Sequence, residues 1–192
     1  SWEAIYAHIP GLKIVIPSTP YDVKGLLKTA IRDNDPVMFI EHKMLYGVKG
    51  EVPEEEYTIP FGQAKVVKEG TDVTILAYSR MVQMALDAAK KLEKDGVSAE
   101  VIDLRTIVPL DKETIIKSLK KTERLAIAQE AVERCGFASE LATFAMEEAF
   151  DYLDAPVKRI AAKNTPVAFA PALEDFIIPN TDDIYNGVKS MF

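Results

Sequence analysis

The feature that most constrains this chain is the way short, wholly apolar β-rich runs take turns with amphipathic helical stretches from residue 72 onward. Residues 72–79 (DVTILAYS) read as a strand, 81–95 (MVQMALDAAKKLEKD) as a helix, and 99–104 (AEVIDL) as the next strand. The helix puts Val82, Ala85, Leu86, Ala89 and Leu92 on one face, and Gly96 suits its C-cap. A helix over 111–120, opened by Pro109 and capped by Asp111, leads to a strand at 124–128 (RLAIA). A helix at 137–153, a strand at 157–162, an irregular proline-rich stretch at 163–180 and a short helix from Thr181 complete the series. Runs such as ILAY and LAIA are apolar on both faces, so both faces must be covered. The sequence predicts an α/β fold, a mostly parallel sheet with helices on both sides.

A smaller unit comes first: a strand at 12–17 (LKIVIP), a helix at 21–32 and a strand at 36–41 (PVMFIE). Between the two units, 47–63 (GVKGEVPEEEYTIPFGQ) reads as a surface linker, rich in glycine, proline and glutamate. Residues 2–9 read as the middle of a structured segment, and the first residue is Ser1 rather than Met, so a piece of a longer protein is expected.

Composition narrows the function classes. With 192 residues and 48% hydrophobic content the chain can bury a core. It carries 23 Lys and Arg against 30 Asp and Glu, a net charge of −7 with no basic run, which argues against nucleic-acid binding. The single Cys135 excludes an internal disulfide and a multi-cysteine metal site. No apolar run reaches the roughly 20 residues of a membrane span, and the expected location is the cytoplasm.

Signatures of self-contained catalysis are missing: there is no GxGxxG, GxxxxGK[ST], GxSxG or HExxH. His42 follows a strand end, where open α/β sheets place ligands, but reads more simply as a half-exposed loop histidine, as does His8. Cys135 precedes a helix and reads as a buried structural thiol. Asp103 and Arg105 stand at one strand end, where the arginine could hold a carboxylate or phosphate bidentately but a structural ion pair locking the sheet's rim is the simpler expectation; Glu130 stands at the equivalent point of the neighbouring strand, suggesting a polar crevice or an interface. Glu147, Glu148, Asp151 and Asp154 form an acidic helix end, either a solvated face or a surface for a basic partner.

The string HIPGLKIVIPSTPYDVKGLLKTAIRDNDPVMFIEHKMLY at 8–46 closely resembles the β subunits of thiamine diphosphate-dependent 2-oxo acid and acetoin dehydrogenases. GEVPEEEYTIPFGQA at 50–64, VIDLRTIVPLD at 101–111, FDYLDAPVKRI at 150–160 and TPVAFAP at 165–171 extend the resemblance along the chain. It implies the tail of a pyrimidine-binding domain at 1–48, a linker at 49–65 and a transketolase-like C-terminal domain at 66–192. The family's catalytic histidine stands in a HisSerGlnSer stretch whose last residue corresponds to Ser1. No catalytic or cofactor-binding residue is therefore expected here, and neither His8 nor His42 replaces it.

In the intact enzyme the resemblance implies thiamine diphosphate and Mg2+, with the diphosphate and the metal held by the α subunit. It also implies a potassium ion at Ala30, Ile31, Asp33 and Asp35, largely through backbone carbonyls, although the family often has Asn where this chain has Asp35. The implied partners are the α subunit, a second β subunit and the subunit-binding domain of the lipoyl acyltransferase core. Glu147, Glu148, Asp151 and Asp154 are the residues expected to meet that last domain. Gly47 stands where pyruvate and branched-chain members commonly have Arg, which with ERCG and the 154–175 stretch favours the acetoin or pyruvate type over the branched-chain type. The fragment alone is expected to be inactive. A transketolase-like module of a deoxyxylulose phosphate synthase or an oxoacid:ferredoxin oxidoreductase, or a non-catalytic binding module, are the alternatives.

Overall fold

A computed structural model describes residues 1–192. Helix α1 (Glu3–Ala7) leads into a three-stranded sheet built on β1 (Lys13–Val15) and β2 (Val37–Phe39), which run parallel and are joined by helix α2 (Pro20–Arg32). Thr19 caps α2 by accepting the Asp22 amide, and Pro20 occupies the first helical turn, where its missing N–H costs nothing. A five-stranded sheet follows. Its members are β3 (Lys65–Lys68), β4 (Val73–Ala77), β5 (Ala99–Asp103), β7 (Leu125–Val132) and β8 (Lys158–Ala162), in spatial order β3-β5-β4-β7-β8. All neighbours pair in parallel except the edge strand β3, which is antiparallel to β5.

Side-chain alternation along these strands sorts the core into two layers. Leu76, Ile102, Leu125 and Ile127 face α4 (Lys112–Thr122) and α5 (Phe137–Glu148). Ile75, Val101, Ala126 and Ala128 face α3 (Arg80–Lys94) and α7 (Thr181–Lys189). The doubly covered sheet expected from the apolar runs is present. Asp111 caps α4 through the Thr114 amide and also accepts the Ala64 amide at 2.9 Å. Gly96, at φ +81°, follows α3 in the left-handed conformation a C-cap needs.

Besides the unpredicted edge strand β3, four features depart from the sequence reading. First, residues 106–108 form a strand, β6 (Thr106–Val108), that leaves the large sheet and pairs antiparallel with β1. The core layer under α4 and α5 consequently includes Ile14, Ile16 and Ile107, so the two sheets share one hydrophobic layer. Second, the stretch read as a surface linker is pinned to α2. Ile59 is buried against Val15 and Leu26, Tyr57 stacks on Tyr21 at 4.6 Å, and Lys24 Nζ donates to the carbonyls of Pro53 and Glu55. Gly25 permits this, since a Cβ there would lie 2.6 Å from Ile59. Third, the helix read as 137–153 stops at Glu148 and gives way to a 3-10 turn at Phe150–Tyr152. Fourth, the stretch at 163–180 contains a seven-residue helix, α6 (Pro171–Ile177). The last helix is α7, with Asn180 and Asp183 forming a reciprocal capping box.

Candidate functional site

The strand order creates one point where successive crossovers part. From β4 the chain enters α3 on one face of the large sheet, and from β7 it enters α5 on the opposite face. Because β4 and β7 are adjacent, the loops at their carboxyl ends diverge, and open α/β sheets form their ligand crevices at such a switch point. A cavity of about 810 Å3 lies there, lined by Tyr78, Ser79 and Arg80 from β4–α3, Glu130 from β7, His42 from the loop after β2, Glu174 and Asp175 from α6, and Ser1, Trp2 and Glu3 from the first residues of the chain.

A clasp spans its wall. Glu130 accepts from His42 Nε2 at 2.6 Å through one carboxylate oxygen and from Arg80 at 3.2 Å through the other. The Met44 amide donates to His42 Nδ1 at 3.1 Å, so the neutral ring carries its proton on Nε2, directed at Glu130. His42 is thus a fastener between the small sheet and the large one. Behind it, the Tyr78 hydroxyl donates to the buried Glu3 carboxylate at 3.0 Å. Burial and the Glu3 charge push the Tyr78 phenol well above its ordinary pKa, so it remains a donor. Gln129, fully buried, accepts the Ala138 amide at 2.7 Å and caps α5. Gly136 leaves room for it, because a Cβ there would sit 2.0 Å from Gln129 Nε2.

Ser79 connects β4 to α3 with φ +55° and ψ −138°, a conformation unusual for a residue with a side chain. Its residue surface is 9% exposed, and its hydroxyl makes no hydrogen bond to the helix it caps.

The expected Asp103–Arg105 ion pair does not form. Arg105, at φ +57°, turns its guanidinium to Asp22 at the start of α2, at 2.5 Å, while its amide donates to Asp103. Ser18 donates to the other Asp103 oxygen. Burial pushes the Asp103 carboxyl up to about 6, opposed by the Ser18 and Arg105 N–H bonds and reinforced by the Asp22 charge. This cluster joins the two sheets. The ends of β5 and β7 are not neighbours as expected, because β4 lies between them. Cys135 is exposed rather than buried, at φ +54° in the turn before α5. His8 is an exposed C-cap residue of α1.

Among the remaining sequence-derived residues, Ala30 and Ile31 lie in the last turn of α2, and Asp33 and Asp35 follow it. Lys13 Nζ lies 2.8 Å from the Asp33 carboxylate and 2.9 Å from that of Asp35. Both carboxylates are therefore paired with an internal cation. No group of three or more His, Cys, Asp or Glu side chains is arranged to hold a metal ion. The residues do not fit a diphosphate–magnesium site. Glu147, Glu148, Asp151 and Asp154 are all exposed at the end of α5 and in the turn beyond it.

A doubly wound C-terminal sheet sharing its core with a β-α-β unit defines a two-part α/β module, and family models match both parts. The transketolase C-terminal domain matches residues 62–184 and the transketolase pyrimidine-binding domain matches residues 1–49, so the chain belongs to the transketolase family. Within it, the chain is 51% identical over 180 residues to the β subunit of acetoin:2,6-dichlorophenolindophenol oxidoreductase from Cupriavidus necator, covering 94% of this chain and 53% of that one. It is 49% identical over 191 residues to the β subunit of the pyruvate dehydrogenase E1 component from Rickettsia felis, covering 100% of this chain and 59% of that one. The chain thus spans little more than half the length of these curated relatives. A split-gene transketolase solved as an inactive β4 tetramer superposes over 98% of this chain and 60% of its own, with a TM-score of 0.82 at 25% identity. A transketolase from Pichia stipitis shares the fold at a TM-score of 0.65 and 14% identity, over 98% of this chain and 26% of its own.

Proposed function

We propose that this chain is the C-terminal portion of the β subunit of a thiamine diphosphate-dependent dehydrogenase of the pyruvate or acetoin type. The observation that carries the reading is the uninterrupted similarity to such β subunits over 94–100% of the chain. In the intact complex the cofactor supplies the carbanion chemistry that cleaves a C–C bond beside a carbonyl, and the acyl unit passes to lipoamide. The cofactor-binding groups are assigned to the α subunit and to segments of the β subunit outside these residues.

The share of residues 1–192 in that work is association. Residues 1–48 act as the tail of the pyrimidine-binding domain, 49–65 as the connection and 66–192 as the transketolase-like domain. This chain meets the α subunit and a second β subunit. Glu147, Glu148, Asp151 and Asp154 offer four exposed carboxylates to the subunit-binding domain of the acyltransferase core, a contact whose on-rate should fall with salt. A potassium ion at the end of α2 would rest on Ala30, Ile31, Asp33 and Asp35, largely through their backbone carbonyls, and on a ligand from elsewhere. On this reading the enzyme works in the cytoplasm.

The test is calorimetric. Thiamine diphosphate with Mg2+ is titrated into this 192-residue chain alone and into the full-length β subunit mixed with its α subunit. Heat is expected only from the second mixture; saturable binding by residues 1–192 alone would overturn the reading.

A further inference from the structure

We propose that Arg105 is a two-position switch between the small sheet and the large one: its guanidinium holds Asp22 of α2 while Asp103 carries a proton, and turns to Asp103 when that carboxyl ionises. The device rests on a count of charges inside the protein. Asp22 is 1% exposed, Asp103 0% and Arg105 9%, so two carboxylates and one guanidinium share a space shut off from solvent. The guanidinium meets Asp22 through one terminal nitrogen at 2.5 Å. Its Nε is enclosed and finds no acceptor. Buried N–H groups are nearly always bonded, and leaving one orphaned is costly. Arg105 thus keeps a donor in reserve two residues along the chain from Asp103, to which its own amide already donates at 2.9 Å.

No other cation competes for Asp103. Ser18, beyond the end of β1, donates to it and is neutral. Lys65 on β3 lies opposite Asp103 in register, but its ammonium sits over the Tyr21 ring, 5.7 Å from the centroid. Ala77 on β4, the strand on the other side, carries no charge. From α2 comes only the like charge of Asp22.

The proton on Asp103 decides between the two positions. Burial above all, with the Asp22 charge adding to it, pushes the Asp103 carboxyl up to about 6. Below that pH the carboxyl is neutral, can donate to Ser18 in return, and leaves the guanidinium to Asp22. Above it a second buried anion appears, and a buried charge without a counter-charge is strongly destabilising. Turning Nε toward Asp103 satisfies the orphaned donor and the new charge in one movement. The cost falls on α2. Asp22 then keeps the Thr19 hydroxyl at 2.6 Å as its side-chain partner, and the first turn of the helix loses its tie to the end of β5. Rising pH therefore loosens α2 from the large sheet.

The experiment uses the full-length β subunit assembled with its α subunit, crystallised at pH 5 and at pH 7.5. The Arg105 guanidinium is expected on Asp22 in the first crystal and on Asp103 in the second. In solution, hydrogen exchange followed by mass spectrometry reads α2 at the same two pH values, with rates divided by the intrinsic rate at each. Its first two turns should lose protection about tenfold or more at the higher pH, as loss of a hydrogen bond between charged groups implies. Asp103→Asn, which cannot ionise, should hold the guanidinium on Asp22 and keep α2 equally protected at both. The proposal is overturned if wild-type Arg105 stays on Asp22 at pH 7.5, if wild-type α2 is equally protected at both pH values, or if Asp103→Asn loses protection as the wild type does. The wild-type measurements decide by themselves where the variant fails to assemble. Neither readout involves turnover, so failure leaves the assignment as a dehydrogenase subunit untouched.

Discussion

Asp103→Asn isolates the energetic weight of the cluster that joins the two sheets. The Asp103 carboxyl is fully buried, and its pKa is pushed up to about 6 from an ordinary 3.8. For an acid raised in the folded state, the native protein holds its proton over a pH range where the unfolded chain has lost it. The stability this confers is complete below about pH 3.8 and is lost as pH rises to about 6. At about 1.36 kcal/mol per pKa unit, the whole loss is about 3 kcal/mol, of which about 2 kcal/mol falls between pH 4.5 and 7. Asparagine does not titrate, and its amide can meet both present partners, accepting the Arg105 amide through Oδ1 and donating to Ser18 through Nδ2.

Urea denaturation of the full-length β subunit and its Asp103→Asn variant, at half-unit steps from pH 4.5 to 7.5, reads the difference directly. The variant is expected to gain on the wild type by about 2 kcal/mol up to pH 7 and to run parallel to it above. A difference that stays flat from pH 4.5 to 7 would refute the reasoning, because it would mean that Asp103 is ionised in the folded protein throughout.

Three further outcomes follow from local geometry. Gly70→Ala places a Cβ 2.2 Å from the backbone of Ala99 and Glu100, which cannot yield as a side chain can; a loss of about 3 kcal/mol or more is expected in the same denaturation assay. Thr74→Val removes the hydroxyl shared by Ser118 at 2.5 Å and Thr122 at 2.6 Å inside the core, and should lower stability by about 1–2 kcal/mol. Lys13→Ala removes the hydrogen bond that, first among its causes, holds the Asp33 carboxyl below its ordinary pKa; an NMR titration should show Asp33 taking up its proton at higher pH than in the wild type.

The large sheet was legible because its strands are buried on both faces. VTILA, AEVID and LAIA need no partner information to announce themselves, and α3 and α4 carry their inner faces and caps in the local sequence. The edge strand KVVK and the bridging strand TIV were not legible. Each is only three or four residues long and made a strand by a partner far away in sequence. Helix α6 was hidden for a different reason: its residues before Ile177 are all exposed, so no apolar periodicity marks it, and the prolines of the stretch around it suggested a loop.

The site was legible only as separate residues. His42 and Glu130 each stood out at a strand end, but nothing in their spacing says that they meet, and Ser79, Tyr78 and Gln129 carry no motif at all. Proximity in sequence even misled at Asp103 and Arg105, where a left-handed backbone at Arg105 sends the guanidinium to α2 instead. What converts strand ends into a site is the order of the strands. With β4 between β5 and β7, the chain leaves β4 and β7 toward opposite faces, and the cleft opens at Ser79 and Glu130 rather than beside Arg105. Had β5 and β7 been adjacent, as the charged strand ends suggested, the polar crevice would have formed around Asp103 and Arg105. In the actual order that position is sealed by α2, and its buried carboxylates serve cohesion between the sheets instead of recognition.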